Sequence, residues 1–418
     1  MKHTFRLQAI FLAFLLCFQT YECRAICTWL DDMTLNNCEC DDCYACDCSQ
    51  FWFEVDFLYW KIKQSPKVIP LVFAGPFNAL ETPTLFSQNT KVVLGNRSTQ
   101  NNGRSGMEFA FGYHFTGPLQ FSTELSYFFL TKVKHSHRVQ SNDFNDDEIP
   151  SPDFPDNFFL AIPFYDVTTG LESSVFIAKP GEFAGKAELK VSNWMQGFEW
   201  NFSSLPNTLP FCTDIEIEAL GGMRYWNFNE KLVFKTESPS TANPNVFTTK
   251  DQFTTVNSFY GVQAGLKAKW EYCKFLFTAQ TKIALGAMDE RLYIKGKLLT
   301  NDFNNFQGVG EFRGGFFALP TNIGFYDKFK FAYIPEFNLK FSYQLAQCIT
   351  FDLGYTFFYV SRIFRPQNQL DRRINPAQAA AIQRQALVDV AGVERPKALL
   401  RSVDFWTQGL NVGINVLF

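Results

Sequence analysis

Beyond its first 18 residues, the 418-residue chain contains no apolar run approaching the roughly 18 to 20 residues that a membrane-spanning helix needs. Mean hydropathy is −0.11, so an α-helical membrane protein is excluded. Charge of one sign is missing too. The 41 acidic side chains nearly balance 38 basic ones, net −3, and nothing in the overall electrostatics recruits nucleic acid. Histidine is scarce, with four in the chain. Of these, His114 stands near the periplasmic end of the second expected strand, isolated from the external loops where substrate would arrive, which argues against a nucleophilic triad there. His135-Ser136-His137, with Asp143, Asp146, Asp147 and Glu148, reads as a solvated loop before it reads as a metal site. Gly308-Val309-Gly310 lacks the third glycine and the strand-to-helix context of a phosphate loop. The chain is therefore not read as an enzyme, and no cofactor or metal is expected.

What is abundant is phenylalanine. The chain holds 49 of them, about 12 % and roughly three times the share usual in soluble domains. Residues 1–25 have the form of a secretory leader: Lys2 and Arg6, an apolar core from Leu7 to Phe18 too short to span a bilayer, and Cys23-Arg24-Ala25 with cleavage after Ala25. Export to or beyond a bacterial periplasm follows. Residues 26–50 then carry Cys27, Cys38, Cys40, Cys43, Cys46 and Cys48, interleaved with Glu39, Asp41, Asp42 and Asp47. Disulfides are favoured over metal thiolates or free thiols, because the compartment is oxidising and acidic neighbours raise thiol pKa values. Removing Cys17 and Cys23 with the leader leaves nine of the 11 cysteines, the last three being Cys212, Cys273 and Cys348. Nine is odd, so at least one sulfur is free or pairs with another chain.

From residue 51 onward the dominant rhythm is period two, the signature of strands with one apolar and one polar face. Phe51, Phe53, Val55, Phe57 and Tyr59 form one such stripe, and Leu410, Val412, Ile414, Val416 and Phe418 form the last. Ten strands are expected, near 51–62, 105–115, 119–131, 186–203, 211–225, 254–270, 274–286, 328–345, 349–361 and 405–418, with a bulge where the rhythm slips near Asn193. The stripes are aromatic-rich and longer than the five or six residues of sandwich strands. They match transmembrane β-strands of about 9 to 11 residues, apolar outside and polar inside. The fold class expected is all-β: a closed antiparallel transmembrane barrel over residues 51–418, ten-stranded, or twelve if residues 68–73 and 90–95 add a hairpin. Connections alternate long (63–104, 132–185, 226–253, 287–327, 362–404) and short. Short turns are periplasmic in such barrels, which places both ends of the barrel and every mature cysteine on that side. Disulfide-linked homo-oligomers or periplasmic cysteine-rich proteins are the partners this implies, besides outer-membrane lipid. Phe418, ending an alternating strand, looks like the signal read by the outer-membrane assembly machinery.

The lumen-facing candidates are Glu54, Asp56, Glu108, Glu124, Asp214, Glu216, Glu218, Glu336 and Asp352 against Arg224, Lys267, Lys269, Lys282 and Lys340, with Lys186, Glu188 and Lys190 on the same reading. Inward glycines such as Gly112 and Gly409 free volume between them. Ten strands lie near the closed end of barrel sizes, so two functions stand: porin-like passive diffusion of small solutes, slightly favouring cations, or a structural or adhesive surface barrel without conductance.

The segments Asp56-Phe57-Leu58-Tyr59-Trp60, Leu220-Gly221-Gly222-Met223-Arg224-Tyr225, Phe259-Tyr260-Gly261-Val262-Gln263 and Leu319-Pro320-Thr321-Asn322-Ile323-Gly324 resemble the planctomycete-type outer-membrane β-barrel family, which also occurs in chlamydia-like bacteria. The most specific stretch is Val360-Ser361-Arg362, then Arg365-Pro366, Gln369-Leu370-Asp371-Arg372 and Phe405-Trp406-Thr407-Gln408-Gly409-Leu410. The resemblance covers most of residues 51–418 but neither the cysteine segment nor residues 376–400, an Ala- and Gln-rich insertion with the look of a short loop helix. It implies an outer-membrane barrel without a settled biochemical activity. The cysteine segment is similar to those of chlamydia-type envelopes, which implies disulfides that carry mechanical load.

Overall fold

A computed structural model describes residues 50–77, 82–98, 103–115, 120–141, 158–204, 206–209, 212–241, 244–302, 306, 309–346, 348–385 and 392–418. The leader and the six-cysteine segment lie outside the described residues. The strands in chain order are β1 (Phe51–Ile62), β2 (Val72–Pro76), β3 (Lys91–Leu94), β4 (Arg104–Phe115), β5 (Phe121–Gln140) and β6 (Phe158–Asp166). They continue with β7 (Leu171–Ala178), β8 (Lys186–Ser204), β9 (Asn207–Leu209), β10 (Cys212–Pro239), β11 (Val246–Tyr272) and β12 (Phe275–Thr300). The last are β13 (Gly310–Arg313), β14 (Gly324–Ala346), β15 (Ile349–Phe364), β16 (Arg373–Ile374) and β17 (Ser402–Leu417).

Ten strands run β11-β10-β8-β5-β4-β1-β17-β15-β14-β12, every pair antiparallel, and β12 returns to β11 to close the ring. Closure leaves the spanning strands no unpaired edge, which a bilayer requires. All ten expected strands are present, and the outward stripes are the expected ones: Phe57, Tyr59, Trp200, Tyr260, Trp270, Phe277, Phe331 and Phe337 are exposed on the outer surface. On β12 the outward apolar positions run from Phe275 to Leu285. Ten residues at about 3.4 Å rise and about 40° tilt climb about 26 Å, the height of an outer-membrane hydrocarbon band.

Above that band the molecule departs from expectation. The segment 226–253 is not a loop but a continuation of the β10–β11 hairpin up to the pair Pro239–Val246, and β12 likewise extends to Thr300. The hairpin that would have made twelve barrel strands does form, between β2 and β3. It belongs to a separate five-stranded sheet of order β16-β6-β2-β3 with β7 on β6, which caps the external end. Short 3₁₀ turns at Pro366–Gln369 and Pro376–Gln378 and one helical turn at Ala380–Gln383 complete the cap.

The slip near Asn193 has a different cause from the expected bulge. On β8 the inward parity never changes, running from Ala187, Leu189 and Val191 through Asn193 and Met195 to Glu199 and Asn201. What changes is polarity. Below Asn193 the outside is lipid, so Phe198, Trp200 and Phe202 point outward; above it the inside is cap, so Leu189 and Val191 point inward. The bulge sits on the partner strand β5, between Leu130 and Val133. Lys186, Glu188 and Lys190 therefore face outward rather than into the lumen, with the Lys190 side chain 59 % exposed and paired to Glu188 at 2.7 Å.

Candidate functional site

Below the middle of the barrel the lumen is a charged vestibule of about 380 Å³, lined by Glu54, Asp56, Glu108, Glu124, Glu218, Lys267, Lys269, Lys282, Glu336, Lys340 and Asp352. It reaches the periplasmic mouth at the exposed Glu271. Alternation puts these side chains inside because the intervening residues are the lipid-facing aromatics. Most of the charges are paired. Lys282 bridges Glu199 at 2.7 Å and Glu336 at 2.8 Å, and Arg224 meets Glu336 at 2.5 Å and Glu199 at 3.5 Å. Gln263 donates to Glu199 at 2.8 Å. Lys340 pairs with Glu54 and lies 3.9 Å from Asp352, while Lys269 holds Glu218 at 2.5 Å. Glu108 enters no ion pair among the described residues. Glu216 shares the parity of Glu218 and lies opposite Lys269 in register, half-buried and off the cavity wall. Asp214 is placed by backbone alone.

Sequence reasoning missed Glu199, the centre of this network. Its signal was available: it is the one acid between the outward Phe198 and Trp200. The free volume expected at inward glycines is found at Gly354, which lines the vestibule, but not at Gly112 or Gly409. A side chain at Gly112 would collide with the Trp52 indole, and one at Gly409 with Trp60, so these glycines admit large neighbours from adjacent strands.

The vestibule ends against a layer of aromatic side chains that crosses the barrel. Trp60, Phe128, Trp226, Phe228, Phe259, Phe358 and Phe405, with Met195 and Met288, form one buried cluster in which no member is more than 5 % exposed. Ring centroids are 5.2 Å apart for Trp60–Phe128, 4.8 Å for Phe228–Phe405 and 5.7 Å for Trp226–Phe405. The Arg224 guanidinium sits 5.2 Å below the Phe358 ring, joining the charged tier to the aromatic one. Trp60 donates to Asn411 at 2.6 Å, which fixes its indole across the lumen.

Above the aromatics lies a buried polar tier that locks the cap to the wall. Arg365 forms a two-pronged pair with Glu230, both bonds 2.7 Å, and donates to the carbonyls of Lys63 and Gln64. Asn193 donates to Glu230 at 3.3 Å. Asn257 grips the Phe364 backbone at both its N–H and its carbonyl. Arg362 reaches Glu290 at 3.0 Å. Higher still, Asp251 accepts three backbone N–H groups, from Phe316, Phe317 and Ala318, and Asn322 closes the same loop onto Leu319 and Phe317. Burial pushes the Asp251 carboxyl up to about 7 despite those donors. Asp371, by contrast, is held below the ordinary carboxylate range, since hydrogen bonds from Arg373 and from the Lys397 N–H outweigh its burial. The motifs Leu319–Gly324 and Arg362–Arg372 are thus the locks of the cap, and Trp60 and Phe405 belong to the layer beneath it.

Cys273 occupies the turn between β11 and β12 with φ 53°, Cys348 the turn before β15, and Cys212 begins β10. All three lie at the short-turn end of the barrel, the end that is periplasmic in bacterial outer-membrane barrels. His114 Nδ1 is 2.6 Å from Ser122 Oγ at the same end; among the described residues no carboxylate is bonded to that imidazole to complete a triad. No group of three His, Cys, Asp or Glu side chains is arranged to hold a metal among the described residues.

A closed ten-stranded antiparallel barrel with lipid-facing aromatics and a polar inner wall defines an outer-membrane β-barrel protein. Over residues 52–418 the chain matches the family described as "Putative beta barrel porin-7", and it belongs to that family. No curated protein matches its sequence. Among solved structures it is similar to the outer membrane protease OmpT of Escherichia coli, at 9 % identity and a TM-score of 0.40 over 88 % of this chain and 97 % of that one. It is also similar to the CymD monoaromatic hydrocarbon channel, at 7 % identity and a TM-score of 0.20 over 88 % and 89 %. The toluene transporter TodX of P. putida follows at 6 % identity and 0.15 over 88 % and 90 %. At these values none of the three carries a function across.

Proposed function

We propose that this member of the barrel porin family is a sealed outer-membrane barrel that displays a folded cap at the cell surface and is tied into the envelope by disulfides on its periplasmic side. The aromatic layer carries this reading. Among the described residues the vestibule ends under buried tryptophans and phenylalanines with no water-filled path past them, and an ion crossing such a dry constriction would lose its hydration. The positions of Cys212, Cys273 and Cys348, at the end from which the six-cysteine segment enters β1, support the tether. So does the resemblance to planctomycete-type barrels and chlamydia-type envelopes. The Phe418 N–H bonds the Phe51 carbonyl at 2.8 Å, which holds the end of β17 to the start of β1 where the tether would join the barrel.

The charged vestibule favours a second reading, a narrow porin whose seal moves. Planar-bilayer recording of the detergent-extracted, heat-modifiable protein separates the two. The expected record is silence, with and without reductant. Stepwise openings from the wild-type chain would overturn the sealed reading, and a selectivity that shifts in Glu218→Gln would assign the current to this lumen.

A further inference from the structure

The external part of the barrel carries a one-sided basic face. Above the lipid band the outward positions of β5, β8, β10, β11 and β12 bring exposed lysines together through strand register. Lys134 lies opposite Ser192, itself opposite Lys231; Lys190 lies opposite Val233; Lys235 lies opposite Lys250, itself opposite Lys297. The acids on this face are already engaged: Glu188 with Lys190 at 2.7 Å, Glu237 with Lys186 at 2.8 Å and Lys235 at 3.6 Å, Glu311 with Lys297 at 2.6 Å. Lys134, Lys231 and Lys250 make no ion pair among the described residues, nor do Lys132 and Lys295. The Lys231 ammonium is held below its ordinary pKa, first by partial burial and then by repulsion from Lys250, Lys132 and Lys295. The face ends at the next strand, where β14, paired to β12, instead presents Phe325, Asp327 and Phe329.

We propose that this face docks the phosphate- and carboxylate-bearing sugars of an anionic outer-leaflet glycolipid. Height selects the occupant. Lys132 stands three residues beyond Phe129, the last outward aromatic of β5, whereas Lys250 stands ten residues beyond Tyr260 on β11. With about 3.4 Å rise and about 40° tilt the face climbs from about 8 Å to about 26 Å above those aromatics. A phospholipid phosphate reaches the foot of that climb. A phosphorylated glycolipid, whose anionic groups continue into its sugars, matches the whole of it. Each lysine near an anionic leaflet strengthens attachment roughly fivefold. The proposal does not depend on whether the lumen conducts.

The test uses the full mature chain in detergent with three probes: diphosphorylated lipid A, the same lipid stripped of phosphate, and inorganic pyrophosphate. Binding is read by native mass spectrometry and by the temperature of the heat-modifiable gel shift. Phosphorylated lipid is expected to bind and raise that temperature, and the triple variant Lys134→Gln, Lys231→Gln, Lys250→Gln to weaken binding about a hundredfold with unheated migration unchanged. Equal binding of the stripped lipid, full competition by pyrophosphate, or wild-type affinity in the triple variant overturns it. Should the triple variant misfold, Lys250→Gln alone must weaken binding roughly fivefold. Lipid binding that appears only after Asp143, Asp146, Asp147 and Glu148 are neutralised would assign the face to that acidic segment and overturn the proposal as well.

Discussion

Glu230 shows how a single buried charge joins two parts of the chain. Its side chain is fully buried and its two oxygens are occupied by one guanidinium, that of Arg365, 135 residues away. The long-range pair earns its geometry from both ends: β10 fixes the acid, and the carbonyls of Lys63 and Gln64 fix the arginine. Removing one partner strands the other in a dry interior, at about 3 to 5 kcal/mol. Glu230→Gln is therefore expected to leave the barrel heat-modifiable but to release residues 362–404, read as new protease sites in that segment; an unchanged digest would show that the pair is dispensable. Asp251 gives a pH-dependent counterpart. Its carboxyl is raised in the folded state from 3.8 to about 7, so the native state binds the extra proton between those values. The stability it contributes is complete below about 4 and is lost as pH rises through about 7. Hydrogen exchange of residues 314–323 should accelerate over that interval in the wild type and stay flat in Asp251→Asn.

At the scale of the strand, legibility stopped where the solvent changed. All ten barrel strands could be read because lipid outside and water inside impose one polarity on every stripe from Phe51 to Phe418. Above the band the same strands continue with water outside and the cap inside, so the stripe changes face, and an alternation rule with one fixed polarity reads the change as a loop or a bulge. That is why Lys186, Glu188 and Lys190 were assigned to the lumen, and why Leu232, Phe234, Leu292 and Ile294, which anchor the cap, were not anticipated. The charged half of the site was legible for the opposite reason, since Glu54, Lys282 and Glu336 lie where the polarity is the simple one. The inversion is testable on adjacent residues of β10. Phe234 is fully buried, 5.9 Å from the Phe317 ring, and Phe234→Ala should cost about 3 to 5 kcal/mol. Lys235→Ala, one position on, should stay within about 0.5 kcal/mol. Equal effects in thermal gel-shift or denaturant titration would mean that the two faces are not distinguished.

The aromatic layer and the cap depend on the whole molecule, and no local pattern reveals them. The seal draws on β1, β5, β10, β11, β15 and β17 at once, and the cap pairs β16 in parallel with β6 across some 200 residues of chain. Such contacts exist only after the ring has closed, so they leave no mark in any local pattern of the sequence. The cysteines show the reverse case: scattered over the chain, they become one feature only when closure brings Cys212, Cys273 and Cys348 to the end at which the six-cysteine segment enters. If that end is a tether, cross-linking should depend on the segment and the barrel should not. Outer membranes alkylated before lysis and run without reductant are expected to show a ladder of linked species for the mature chain. Deleting residues 26–49 should collapse the ladder while leaving the heat-modifiable band intact. A ladder that survives the deletion moves the linkage to Cys212, Cys273 and Cys348, to be resolved by serine substitution at each. Monomer alone in both preparations removes the tether and leaves the barrel held by the membrane itself.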